Sequence, residues 1–226
     1  MTTTLITGAN KGLGLETARR LIEAGHTVYA GMRDISKGED AAALGAHIVQ
    51  LDVTDDASVA TALAGIPSLD VLVNNAGITG PNASPDDFGV AELHEVFDTN
   101  VYSIVRVTQA ALPLLHASQN PVIVNVASGL GFARFDLDPS RVESSVHAIG
   151  YTTSKAAVIM LTVQYAKQLP GIRVNTVDPG YTATDLNGHN GHQTVTEGTD
   201  AIVAMATIGV DGPTATFSDR EGVIAY

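Results

Sequence analysis

The chain has 226 residues, of which 45% are hydrophobic and only 16% are charged, so it can bury a sizeable core and is not disordered. The 24 acidic and 12 basic side chains give a formal net charge of −12, which argues against nucleic acid or an anionic membrane as a partner, because a phosphate binder needs a basic face. Cysteine is absent, which excludes disulfides, thiolate catalysis, zinc ribbons and iron–sulfur clusters.

No apolar run is long enough to span a membrane, and the N-terminal residues lack the basic and apolar segments of a secretory signal. We therefore expect a cytoplasmic globular protein.

Short β-branched runs alternate with longer helical patterns along the chain. The predicted strands are Thr4–Thr7, Thr27–Gly31, His47–Asp52, Val71–Asn75, Pro121–Ala127, Ile172–Val177 and Ala215–Ser218. The predicted helices are Leu13–Ala24, Ala57–Ala64, Ala91–Ser118, Tyr151–Gln168 and Thr196–Ile208. Most of the strands are almost continuously apolar, as in parallel sheets covered on both faces. The pattern predicts one α/β domain over residues 1–226, with a doubly wound, parallel, seven-stranded sheet and helices on both faces.

Two polar stretches interrupt this alternation, namely Gly129–Gly150 and Tyr181–Thr194. Ligands of open α/β sheets lie beyond the carboxyl ends of the strands, where long loops form the walls of the site. We expect both stretches to lie there.

A glycine-rich turn, Thr7–Gly14, joins the first strand to the first helix. Glycines let the backbone approach a pyrophosphate, and the helix N-terminus offers free N–H groups and a positive dipole end. The turn therefore predicts a nucleotide site formed by Gly8, Asn10, Lys11, Gly12, Leu13 and Gly14.

The end of the second strand indicates which dinucleotide binds there. An acid at this point favours NAD, whereas cations favour the 2′-phosphate of NADP. Arg33 and Asp34 are both candidates, and Lys11 adds a second cation near the same phosphate. We predict NADP(H) from this local charge.

Tyr151 and Lys155 stand four residues apart at the start of a predicted helix, so they share one face. A free phenol has a pKa near 10, too high for ready acid–base chemistry at neutral pH. A neighbouring ammonium favours the phenolate and lowers that pKa, so the pair is a candidate proton-transfer unit.

These motifs occur in one order along the whole chain. They are the turn at Thr7–Gly14, Leu51–Val53, Asn74–Gly77, Asn100, Asn125–Ser128, the Tyr151 and Lys155 pair, Asp178–Gly180 and Thr184–Asp185. The chain resembles the short-chain dehydrogenase/reductase family, and most of all its single-domain NADP(H)-dependent carbonyl reductases, which have a Rossmann-type fold.

The resemblance implies a mechanism. Tyr151 would donate a proton to the carbonyl oxygen, or remove one from an alcohol, and Ser128 would orient the same oxygen. Lys155 would hold the nicotinamide ribose and lower the pKa of Tyr151, and Asn100 would anchor a relay water. Hydride would pass between the nicotinamide and the carbonyl carbon.

The resemblance also implies further cofactor contacts. Met32 takes the place of the NAD-selecting acid and is followed by Arg33, which again favours NADP(H). The other implied cofactor residues are Asp52, Val53, Asn74, Ala76, Gly77, Pro179, Gly180, Thr182 and Thr184, together with Tyr151 and Lys155.

Apolar residues near the expected site predict the substrate pocket. They are Ile78, Leu130, Phe132, Tyr181 and Leu186. Such a pocket suits many carbonyl compounds, so the partner is a small-molecule carbonyl or alcohol of unspecified identity. No metal site is expected, because the histidines lack metal-binding spacing on a helix. For Asn75 and Asn125 we prefer a structural role, tying strands together through side-chain hydrogen bonds to backbone.

The segment Phe132–Ile149 is longer than its counterpart in most of the family, and it either covers the mouth of the site or alters a subunit interface. The oligomeric state, monomer or homo-oligomer, is left open. Other functions also stay open: an alcohol dehydrogenase working oxidatively, and an NADP(H)-binding sensor or scaffold without turnover. A sugar-nucleotide epimerase needs a substrate domain for which 226 residues leave little room.

Overall fold

A computed structural model describes residues 1–81 and 83–225. Its strands are β1 (Thr3–Thr7), β2 (Thr27–Met32), β3 (His47–Gln50), β4 (Val71–Asn74), β5 (Val122–Val126), β6 (Arg173–Val177), β7 (Phe217–Asp219) and β8 (Gly222–Ile224). Its helices are α1 (Gly12–Glu23), α2 (Glu39–Ala43), α3 (Asp56–Ala64), α4 (Val90–Phe97), α5 (Ser103–Ala117), α6 (Ala133–Asp136), α7 (Ile149–Gln168), α8 (Val195–Gly198) and α9 (Asp200–Ala206). Single 3₁₀ turns occur at Ile35–Lys37, Gly129–Gly131, Val142–Ser145 and Asp185–Asn187.

The described strands form one sheet in the order β3-β2-β1-β4-β5-β6-β7-β8. All neighbours are parallel except β7 and β8, which are antiparallel. The doubly wound fold is thus confirmed, but the predicted count of seven strands is one too low. The eighth strand ends a tight hairpin in which the Asp219 carboxylate accepts hydrogen bonds from the N–H groups of Glu221 and Gly222. A three-residue strand is too short to show a periodic pattern.

The two faces of the sheet carry separate apolar clusters. Ile6 packs in a cluster with residues of α1 and α9, whereas Leu5 packs with residues of α3 and α5. Consecutive residues of a strand point to opposite faces, so this alternation places helices on both sides, as predicted.

The predicted helix Ala91–Ser118 is interrupted by a π-helical turn at Asp98–Tyr102. At its centre the Asn100 side chain accepts a hydrogen bond from the Ile78 N–H and donates to the Ile78 carbonyl oxygen. This contact with the segment after β4 fixes Asn100 within the π turn, and π turns in helices are frequent at functional sites.

The sheet reverses its order at β1, which lies between β2 and β4. In doubly wound sheets, ligands bind at the carboxyl edge beside such a switch point. The loops that follow β1 and β4 meet there, and they are the glycine-rich turn and the Asn74–Gly77 segment.

Among the described residues, no helix combines the length and apolar composition that crossing a membrane requires.

Candidate active site

A long cleft runs along the carboxyl edge of the sheet. One end is lined by the glycine-rich turn and Arg33, the middle by residues 51–54 and 75–79, and the other end by the serine turn, residues 140–148 and the loop after β6. The loops predicted to form walls do so.

The glycine-rich turn is shaped by contacts that exclude side chains. Gly8 and Gly12 have positive φ angles of 67° and 54°. A Cβ on Gly14 would lie 2.3 Å from the Gly8 carbonyl oxygen, so α1 can begin here only without a side chain. Asn75 braces the turn, since its amide donates to the carbonyl oxygens of Thr7 and Gly8 at 2.9 and 3.2 Å. The predicted structural role of Asn75 is confirmed.

Arg33 and Asp34 lie differently although they are adjacent. Arg33 is exposed and lines the cleft. Asp34 caps the 3₁₀ turn that follows, accepting hydrogen bonds from the N–H and hydroxyl of Ser36 at 3.0 and 2.6 Å. Lys11 also lines the cleft, and its ammonium pairs with Asp185 at 2.8 Å.

Ser128 follows β5 and caps the 3₁₀ turn Gly129–Gly131, its hydroxyl accepting a hydrogen bond from the Leu130 N–H at 3.2 Å. This turn packs directly on α7. A Cβ on Gly131 would lie 2.4 Å from the carbonyl carbon of Lys155 and 2.6 Å from the nitrogen of Ala156. The glycine therefore lets the serine turn rest against the first turns of α7, where Tyr151 and Lys155 lie.

Tyr151, Ser128 and Lys155 come together at the substrate end of the cleft. The Ser128 hydroxyl lines the cleft beside Tyr151 and acts to lower the pKa of its phenol. Lys155 is only 5% exposed. Its ammonium donates to the carbonyl oxygen of Val126 at 2.9 Å and lies 5.5 Å from the centroid of the Tyr151 ring.

The electrostatics of this group are dominated by burial. Burial raises the pKa of Tyr151 to about 12, the negative charge of Asp178 acts in the same direction, and the hydrogen bond from Ser128 opposes them. Burial lowers the pKa of Lys155 to about 8, against the effect of Asp178. Burial therefore sets the direction of the shift, and the lowering of the Tyr151 pKa by Lys155 stays a prediction.

Asn100 lies behind the catalytic group rather than in the cleft wall, and it is 1% exposed. Its amide also donates to the Ser154 hydroxyl at 2.9 Å, on α7 next to Lys155. The position of a Cβ on Gly77 would be 3.3 Å from Asn100 Oδ1 and 3.7 Å from Lys155 Nζ, so the two side chains face the same point.

A family model described as "short chain dehydrogenase" matches residues 2–195. The chain belongs to the short-chain dehydrogenase family. It is 29% identical to a (+)-neomenthol dehydrogenase of Capsicum annuum, covering 98% of this chain and 96% of that protein. That alignment runs over 303 positions although this chain has 226 residues, so the relative contains segments that this chain lacks.

Two solved structures are similar over their whole length. One is the NADPH-bound carbonyl reductase from chicken fatty liver, with a TM-score of 0.89, 27% identity and coverage of 100% of this chain and 99% of that one. The other is the carbonyl reductase Sniffer of D. melanogaster, with a TM-score of 0.88, 25% identity and full coverage of both chains.

Most of the predicted cofactor and substrate residues of this family member line the cleft. They are Gly8, Asn10, Lys11, Gly12, Leu13, Gly14, Arg33, Asp52, Val53, Ala76, Gly77, Ile78, Leu130, Pro179, Gly180, Tyr181, Thr182, Thr184 and Leu186.

Besides Asn100, two predicted site residues do not line the cleft, and their side chains are held by other contacts. Asn74 is 4% exposed, and its amide donates to Asn125 Oδ1 at 2.9 Å. Asn125 in turn donates to the Thr162 hydroxyl on α7 at 2.9 Å, so its role is structural, but its side chain bonds other side chains and not the backbone as predicted. Phe132 packs edge-on against Phe135 and Phe217, with ring centroids 5.1 and 5.8 Å apart, instead of lining the cleft.

The segment Phe132–Ile149 forms one wall of the cleft. Residues 140–143, 145, 146 and 148 line it, so the first of the two expected roles, covering the mouth of the site, fits the structure. Across the cleft, the loop after β6 closes on itself through hydrogen bonds from the N–H of Ala183 to the Gln193 carbonyl and from the N–H of Gln193 to the Tyr181 carbonyl.

The charged residues Asp178, Arg141 and Glu143 line this end and were not predicted as site residues. Asp178 is the first residue after β6, at the carboxyl edge where functional groups of parallel sheets collect, and that position was a usable signal. Arg141 and Glu143 carry no such signal in the sequence, because only the folding of a long polar segment brings them to the cleft.

Within the described part of the chain, no cluster of three or more His, Asp or Glu side chains is arranged to hold a metal ion.

Proposed function

We propose that this chain is an NADP(H)-dependent reductase that transfers hydride to the carbonyl carbon of an aldehyde or ketone, a reaction that is reversible toward alcohol oxidation. The observation that carries the proposal is that Ser128, Tyr151 and Lys155 line one cleft, with the Lys155 ammonium 5.5 Å from the centroid of the Tyr151 ring. These groups lie in the same cleft as the glycine-rich turn. The similarity to a carbonyl reductase bound to NADPH supports it.

The cofactor end of the cleft fits a dinucleotide diphosphate. No described side chain caps the N-terminus of α1, and its first turn contains no acidic residue, so its N–H groups and positive dipole end are available to an anion. Gly8, Gly12 and Gly14 have no side chains, so a ligand can approach the backbone closely at this turn.

Arg33 supports NADP(H) rather than NAD(H). It lines the cleft, while Asp34 is engaged with Ser36 and Lys37. Cations favour the 2′-phosphate that distinguishes the two cofactors. Lys11 lies on the same side of the cleft and would add to the positive field there.

When bound, NADPH supplies a hydride to the substrate carbonyl carbon. Tyr151, whose pKa is raised to about 12, is protonated at neutral pH, and it would donate this proton to the carbonyl oxygen as negative charge develops there. Ser128 would hold the same oxygen by a hydrogen bond and stabilise the charge that develops on it.

Lys155 and Asn100 would support the phenol. A lysine with a pKa of about 8 is mostly charged at neutral pH, and it would bind the hydroxyls of the nicotinamide ribose. Asn100 faces the same point beside Gly77 as the ammonium, where a relay water would return a proton toward Tyr151.

The test is the rate of NADPH oxidation and of NADH oxidation with a panel of aldehydes, ketones and quinones. We expect turnover with NADPH, and a loss of about 10²- to 10⁴-fold in Tyr151→Phe, because the proton donor is removed. Tyr165→Phe is the matched control, since it makes the same change on the same helix among residues of an apolar cluster.

Three results would contradict the proposal in different ways. Undiminished turnover in Tyr151→Phe would remove the proton donor from the mechanism. Preference for NADH would show that Arg33 does not select the cofactor. Binding of NADPH without turnover of any panel member would favour a sensor or scaffold.

A further inference from the structure

Asp178 is a buried carboxylate that contacts two loops at the substrate end of the cleft. It is 5% exposed and follows β6 directly. Its Oδ1 accepts a hydrogen bond from the Gly180 N–H at 2.9 Å. The carboxylate also lies against Gly129, whose N–H group acts to lower the pKa of Asp178.

Those two N–H groups belong to different loops. Gly129 is the residue after Ser128 and begins the serine turn, whereas Gly180 belongs to the Pro179–Gly180 turn on the opposite side. One carboxylate therefore links the loop that carries the proposed oxygen-orienting hydroxyl to the loop predicted to meet the nicotinamide.

A second carboxylate lies beside it, from the polar segment that walls the cleft. The point that a Cβ on Gly129 would occupy is 2.8 Å from Asp178 Oδ2 and 2.7 Å from Glu143 Oε1. Glu143 is paired with Arg141 at 2.8 Å, and the Arg141 guanidinium lies 3.6 Å from the centroid of the Phe135 ring. Gly129 alone lets the two acids approach, because any side chain would meet both.

Charged and titratable groups surround Asp178 on every side. They are Glu143 and Arg141 of the polar segment, Asp219 of β7, and Tyr151 and Lys155 of α7. Burial raises the pKa of Asp178, with the two N–H groups opposing that effect.

We propose that Asp178 is a positioning residue of this active site, which fixes Ser128 relative to the Pro179–Gly180 turn and acts on the Tyr151 proton through its charge. The inference rests on the proposed reductase function for its kinetic part only. The negative charge of the carboxylate makes the phenolate of Tyr151 harder to form. It therefore opposes alcohol oxidation, which needs the phenolate, at a given pH.

The first experiment measures hydrogen exchange of the Gly129 and Gly180 amides in the protein without cofactor. Asp178→Ala removes the acceptor of the Gly180 N–H and the carboxylate that packs on Gly129, so we expect both amides to exchange at least about tenfold faster than in the unchanged protein. Asp138→Asn is the matched control, because Asp138 is exposed and bonds only Ser140 within the same polar segment. Unchanged exchange at both amides in a folded Asp178→Ala would overturn the positioning role.

The second experiment measures the pH dependence of alcohol oxidation with NADP⁺ in Asp178→Asn, which keeps the size of the side chain and removes its charge. The oxidation rate rises with pH as Tyr151 loses its proton. Without the neighbouring negative charge we expect this rise to occur at lower pH than in the unchanged protein.

The two experiments separate the two proposals. If the unchanged protein turns over no carbonyl or alcohol, the proposed function fails while the exchange data still decide whether Asp178 holds the two loops. If turnover is present and Asp178→Asn keeps the pH profile of Asp138→Asn, the electrostatic role is wrong. Thermal unfolding of each variant shows that it is folded, and Asp178→Asn replaces Asp178→Ala in the exchange measurement if the alanine variant is not.

Discussion

The cofactor end and the substrate end of the cleft are built by different means. At the cofactor end, a single turn of eight residues supplies the surface for the diphosphate, and its shape follows from glycines that no side chain can replace. At the substrate end, Ser128, Tyr151, Asp178 and Glu143 come from four separate elements and meet only through tertiary packing.

This difference explains which parts of the site a sequence reveals. Glycine spacing limits the backbone directly, and it is visible in the sequence as a motif. The approach of two side chains from distant segments depends on burial and hydrogen bonding, which no local pattern encodes. The substrate end also contains Gly131, whose role is visible only once α7 is seen to lie against it.

Of the substitutions that test the difference between the two ends, Gly131→Ala is expected to have the largest effect on the catalytic rate. Its Cβ would lie 2.4 Å from the backbone of Lys155, so the serine turn must move away from α7. A displacement of about 1 Å at catalytic groups costs about 10²-fold in rate. We therefore expect kcat for carbonyl reduction to fall about a hundredfold while the Kd for NADPH changes little.

Gly14→Ala is the counterpart at the other end, since its Cβ would lie 2.3 Å from the Gly8 carbonyl oxygen. Here we expect the Kd for NADPH to rise at least about tenfold, because the added Cβ displaces the backbone of the turn that would contact the diphosphate. Gly209→Ala is the control, because no atom lies within 4 Å of its Cβ position. If Gly131→Ala weakened NADPH binding and Gly14→Ala did not, the division of the cleft into two ends would be wrong.

The sequence predicted the α/β architecture and most of the cleft lining. The parallel strands are short apolar runs whose pattern survives in any context, whereas β8 has only three residues. The π turn at Asp98–Tyr102 was missed, because its cause is the hydrogen bonding of Asn100 to Ile78, which the local sequence does not show.

The misplaced site residues have the same origin. Phe132 was assigned to the substrate pocket because it follows the serine turn, yet its ring packs against Phe217 on β7. Asn74 was assigned to the cofactor, yet the strand places its side chain toward Asn125. In both cases a partner far away in the chain decides where the side chain points.

A smaller effect is expected from Arg33→Ala, which tests the cofactor end alone. A hydrogen bond to a charged group contributes about 1.5–3 kcal/mol, so we expect the Kd for NADPH to rise about ten- to a hundredfold while the Kd for NADH stays the same. Fluorescence titration with each cofactor measures both constants, and the absence of tryptophan removes protein emission as an interference.

Asp34→Asn is the matched variant for that experiment, since Asp34 precedes the same 3₁₀ turn but bonds Ser36 instead of facing the cleft. We expect its preference for NADPH over NADH to equal that of the unchanged protein. A shift toward NADPH in Asp34→Asn would identify Asp34 as an acid that binds the ribose hydroxyls of NADH.

The smallest effect is expected from Asp185→Asn, which breaks the one described ion pair joining the two ends of the cleft. Asp185 pairs with Lys11 at 2.8 Å, and the two side chains are 49% and 62% exposed. The Lys11 ammonium lowers the pKa of Asp185, so the pair is intact at neutral pH and is lost only as the pH falls through that lowered pKa.

Exposed ion pairs contribute little to binding or stability and are screened by salt. We expect the KM for the carbonyl substrate to rise no more than about threefold at low ionic strength, and the difference from the unchanged protein to vanish at about 1 M salt. A tenfold effect that persists in high salt would mean that the ends of the cleft are mechanically coupled through this contact, and that the substrate end is not positioned by its own packing alone.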